Sequence, residues 1–140
     1  MFNDLSVLHN ILTACGLTDT QATQLCFTYH IRNEGAVIDA VLGKLTPSER
    51  SALELKLQAG PKTSQFISDS LTEASNSATN SFDIDSITTK ARLNASNKFW
   101  QELLDVFNTE QKIQLEKVID KTVSDRPELK QNISQILKTA

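Results

Sequence analysis

The sequence predicts an all-α fold, a helical bundle of six to eight short helices, and three observations predict it. Apolar residues recur at steps of three and four rather than two. Capping boxes stand ahead of the apolar runs, at Thr18/Gln21, Thr46/Glu49 and Asn108/Gln111. Only four Gly and three Pro interrupt 140 residues, which suits helices joined by short turns. With 39% apolar and 22% charged residues, the chain has the composition of an ordinary globular domain and the length to bury one core.

Phe2, Leu5, Leu8, Leu12 and Cys15 share one helical face, with Asn3 or Asp4 as cap and Gly16 as stop. A second helix starts at Thr18 and turns Ala22, Leu25, Cys26 and Tyr29 inward. It is expected to break or bend at Asn33-Glu34-Gly35, because glycine is costly inside a helix and natural just after one. Ala36 to Leu45 makes a third helix. Thr46, Pro47 and Glu49 start a fourth, which carries Leu53 and Leu57 and stops at Gly60-Pro61. The third and fourth helices form an αα-hairpin.

From Lys62 to Ser81 the composition shifts to Ser, Thr and Asn, which reads as a linker with Ser75 to Ser81 as its mobile part. Phe66, Ile67 and Leu71 allow a brief amphipathic turn within it. Ile84, Ile87 and Ala91 mark a helix to about Leu93, interrupted at Asn94 to Asn97, where polar side chains compete for backbone groups. Lys98 to Phe107 is a strong helix. After the box at Asn108, Leu115, Val118, Ile119, Thr122 and Val123 line the next. Asp125, Pro127 and Glu128 start a last one bearing Leu129, Ile133, Ile136 and Leu137. The expected organisation is an N-terminal helical half, 1–60, a linker, 61–83, and a C-terminal helical half, 84–140, packed as one domain.

A shift of 62 positions, the distance from Thr46 to Asn108, lays Val37, Ile38, Val41, Leu42 and Leu45 over Phe99, Trp100, Leu103, Leu104 and Phe107. Leu53 and Leu57 fall on Leu115 and Ile119, and the expected breaks also correspond. Identities are few, chiefly Leu42 with Leu104, Leu53 with Leu115 and Glu54 with Glu116. Internal duplication accounts for this, and so does convergence, since any two capped amphipathic hairpins align once their turns are matched. Two copies are too few for an open solenoid.

Catalytic chemistry leaves no clear trace. His9, His30, Cys15 and Cys26 are the residues best suited to nucleophilic or metal chemistry, and Cys26 with His30 sits at i, i+4. Neither an oxyanion hole nor zinc-clip spacing accompanies them. The glycines are isolated, so no phosphate cradle is marked. No catalytic, cofactor-binding or metal-binding residue is assigned, and no cofactor is expected.

The net charge of −3 gives no general attraction to nucleic acid, and Glu49, Glu54, Glu110 and Glu116 lie among the basic residues of the two hairpins. No apolar stretch approaches the length of a membrane span. The opening residues lack the features of a secretory signal, so a reducing cytoplasm with two packed thiols is the expected setting. A Cys15–Cys26 disulfide in an oxidising space is the runner-up.

In the helix from Lys98 to Phe107, the apolar residues, Val106 among them, fill an arc of roughly 160°, wider than a surface helix needs. It must be covered by neighbours in its own bundle or partly by another chain. Phe99, Trp100, Leu103, Leu104 and Phe107 are therefore the candidate partner-binding residues. The expected function is a non-enzymatic protein–protein interaction module, an adaptor, accessory subunit or regulator, with a protein or a second copy as partner. A small nucleic-acid-binding regulator, and an enzyme with an unfamiliar site, are the alternatives.

Overall fold

A computed structural model describes residues 5–122, which form six helices and no strand. These are α1 (Leu5–Ala14), α2 (Asp19–Leu42), α3 (Pro47–Ala59), α4 (Ser64–Ser77), α5 (Ile84–Val106) and α6 (Thr109–Thr122). The fold is all-α, as its periodicity predicts. The helix expected from Asp125, and the Phe2 start of the first, lie outside the described residues.

Local hydrogen bonds set the helix starts. Thr46 and Glu49 form a reciprocal box at α3, and Asn108 and Gln111 form one at α6 with bonds of 2.8 and 3.0 Å. Thr18 and Gln21 do the same at α2. Each satisfies N–H groups that a helix start leaves open. At the end of α1, Gly16 adopts a φ of +95°, and the N–H of Leu17 reaches the carbonyl of Leu12. This is a Schellman closure, in which a left-handed glycine lets the chain turn away. At the end of α3 the backbone turns extended at Gly60, and glycine is needed there because a Cβ would run into the Phe66 ring.

Two expected breaks are absent. α2 runs through Asn33-Glu34-Gly35, and α5 runs through Asn94 to Asn97. A glycine costs about 1 kcal/mol inside a helix. Burial on both sides of it, of Tyr29 before and Val37 and Val41 after, outweighs that cost.

The expected linker is also corrected, since residues 64–77 of it form α4, capped by Thr63. Its buried side chains are Ser70 and Leu71, with Ile67 and Ala74 packed on the same core. Ile67 and Leu71, the residues of the expected brief turn, supply its large core side chains, and the small Ser70 and Ala74 lengthen its buried face beyond what they mark.

The chain divides into two compact units that do not follow the expected halves. One holds Met1–Arg32 with Leu93–Ala140, and the other holds Asn33–Arg92. In the first, α1 packs against α6, and the core joins Leu8, Ile11 and Leu12 to Phe99, Trp100, Leu104 and Leu115. In the second, α3 packs against α4, and Val37, Val41, Leu45, Leu53 and Leu71 form the core. The unit boundaries fall inside α2 and α5.

Candidate functional site

The five residues first put forward as a partner-binding face lie in the core of the first unit. Phe99, Trp100, Leu103, Leu104 and Phe107 are all buried, Trp100 to 1% exposure. Tyr29 meets the edge of Phe99 at a centroid distance of 5.1 Å, and Phe99 meets Trp100 at 5.8 Å. Neighbours within the chain therefore cover that wide apolar arc. Val106, assigned to the same arc, points outward at 77% exposure.

The exposed apolar surface of this unit is instead most concentrated on α2. Burial of Ala22, Cys26 and Tyr29 fixes the rotation of the helix. At about 100° per residue, Phe27 and Ile31 then lie roughly 130° and 170° from the inward direction. They are 65% and 51% exposed, one turn apart. Thr20, Thr23, Gln24 and His30 are exposed beside them.

Several contacts hold this face in place. The Cys26 thiol donates to the carbonyl of Leu5 at 3.6 Å, tying α2 to the start of α1. His9 Nε2 lies 3.0 Å from an Asp19 carboxylate oxygen, linking the middle of α1 to the start of α2. On the buried side the Tyr29 hydroxyl bonds to Ser96 of α5. Arg32 pairs with Glu102 where the unit ends.

Electrostatically the region is unusual for this chain. From Leu5 to Ile31, Asp19 is the only Asp, Glu, Lys or Arg. By contrast, α3 and α6 carry mixed charges throughout, from Glu49 and Arg50 to Asp120 and Lys121. Interface cores are depleted of charge and enriched in aromatic side chains, and Phe27 stands in such a setting. Charge depletion over 5–31 was readable in the sequence, but aromatic density drew attention to 98–107.

Both cysteines are free thiols. Burial pushes the Cys15 thiol up to about 11 and raises that of Cys26, so both are protonated near neutral pH. Neither is an activated nucleophile. Among the described residues, no group of three or more His, Cys, Asp or Glu is placed to hold a metal ion, and no helix is long and apolar enough to cross a membrane.

Open clefts are also present among the described residues. One, of about 440 Å³, lies where Cys15 and Gly16 face Asn108, Gln111 and Gln114. Another, of about 340 Å³, lies where Glu49, Ala52 and Lys56 face Ser70, Glu73 and Ser77. In the second, Lys56 is already paired with Glu73. No family model matches the chain, and neither a curated protein nor a solved structure matches it.

Proposed function

We propose that the chain is a non-enzymatic, cytoplasmic protein-binding module that engages a protein partner through the outer face of α2. The carrying observation is the exposed pair Phe27 and Ile31 on a stretch almost free of charge. A rigid aromatic anchor on a well-packed helix loses little conformational entropy on binding. Among the described residues, the buried thiols and the clefts described above are less well defined as binding features.

The experiment places a photo-crosslinking phenylalanine analogue at position 27 and, as control, at Leu55, an equally exposed apolar position on α3 flanked by Glu54 and Lys56. After irradiation in native lysate, a discrete protein adduct from position 27 and none from position 55 is expected. Identical adducts at both positions, or none at 27, would overturn the assignment.

A further inference from the structure

The two units are assembled from corresponding parts. The same shift of 62 positions carries α1 onto residues 67–76 of α4, α2 onto α5 and α3 onto α6. Burial corresponds best on the long and third helices, where Val37 with Phe99, Val41 with Leu103, Leu45 with Phe107 and Leu53 with Leu115 are buried at both positions; on the first, Leu8 matches Ser70, while the buried Ile11 and Cys15 fall on the exposed Glu73 and Ser77. The clefts correspond too, since Cys15, Gln111 and Gln114 line one while Ser77, Glu49 and Ala52 line the other.

The packing is reciprocal. α1 lies on α6, and α4, the counterpart of α1, lies on α3, the counterpart of α6. Convergent hairpins would align α3 with α6, but they would not oblige α1 and α4 to match or the contacts to run both ways. A contact of i on j repeated as j on i is what pairing between two identical subunits produces. Each unit takes its first helix and the start of a long helix from one copy. The rest of a long helix and the third helix come from the other copy.

We propose that the chain is two tandem copies of one three-helix element, 1–60 and 63–122, which complete each other by exchanging halves, and that a second molecule of the chain is a partner for the same exchange. Neither copy contains both halves of a unit core, so each requires another copy. In one chain that partner is tethered through residues 60–63, at an effective concentration of about 1 mM. Dilute chains therefore satisfy themselves, and crowded refolding chains satisfy one another. The exchange uses core residues and not Phe27 or Ile31, so its test is independent of the function proposed above.

The experiment uses the full chain carrying either of two affinity tags. The tagged proteins are unfolded together in urea and refolded together at about 1 µM and about 1 mM, or refolded separately and then mixed. Doubly tagged complexes are expected after joint refolding at the higher concentration, surviving dilution, and absent when folded proteins are mixed. Failure to obtain them at the higher concentration, or an equal yield from mixing folded proteins, overturns the proposal.

Discussion

The Tyr29 hydroxyl lies 2.9 Å from the Ser96 hydroxyl, a buried hydrogen bond between side chains 67 residues apart. It joins α2 to α5 inside the first unit, on the edge of the Phe99 ring. Tyr29→Phe keeps the ring and removes the bond, so a loss on the order of 1 kcal/mol is expected in urea unfolding. Tyr29→Ala should lose about 3–5 kcal/mol. Equal effects of the two would mean that the hydroxyl, not the ring, is what matters there.

Gly35 sits inside α2 with open space where a Cβ would be. Gly35→Ala should therefore stabilise the chain by about 1 kcal/mol, because it raises helix propensity and meets nothing. A lowered unfolding midpoint would show that the native chain bends at this residue.

Legibility in the sequence divides along the range of the interactions. The boxes at Thr18, Thr46 and Asn108, and the stop at Gly16, could be read because both partners lie within a few residues. The continuity of α2 and α5 could not, since packing beyond the helix decides it against local propensity. Of α4 only a brief turn at Phe66, Ile67 and Leu71 was legible, because Ser70 and Ala74 carry no hydrophobic signal. Consecutive α3 and α4 pack as neighbours, in line with chain order, but the pairing of α1 with α6 joins the two ends of the described residues and leaves no local signal. Phe99 to Phe107 were recognised as a face that needs cover, but sequence alone does not say which chain supplies it.

Glu49 links the start of α3 to the connection before α5: one carboxylate oxygen accepts from the Thr46 N–H, the other from the Thr79 N–H at 2.8 Å. These backbone N–H groups, Thr46 first, hold its carboxyl below the usual glutamate range. A lowered folded value means the stabilisation is complete above about pH 4.3, the unfolded value, and lost as pH falls through the folded one. Glu49→Gln should flatten the acid limb of a stability-against-pH curve. An unchanged limb would show that Glu49 makes no net difference between folded and unfolded chains.

The two thiols should report folding. At pH 8, Cys15 should react with a thiol reagent roughly two orders of magnitude more slowly in the folded chain than in urea, since burial suppresses the thiolate. Fast native labelling would place Cys15 at the surface.

Core and surface should separate cleanly on substitution. Trp100→Ala is expected to destabilise by about 3–5 kcal/mol, whereas Phe27→Ser should stay within about 0.5 kcal/mol of the parent. Denaturant melts of both variants check this, and a large loss from Phe27→Ser would assign that ring to the core.

The division of the first unit between the two ends of its sequence also has a consequence during synthesis. Leu8, Ile11 and Leu12 are made early, yet Trp100, Leu104 and Leu115 of the same core are made about 90 to 100 residues later. At about 5–20 residues per second, a ribosome holds the nascent chain for roughly 5–20 s between the two events. Throughout that interval α1 has an apolar face and no native neighbour from α6, whereas the second unit, contiguous at 33–92, has all of its own residues before the interval ends. The unit containing the only tryptophan therefore has its residues complete after the other, and α1 is open to chaperones while it waits for α6.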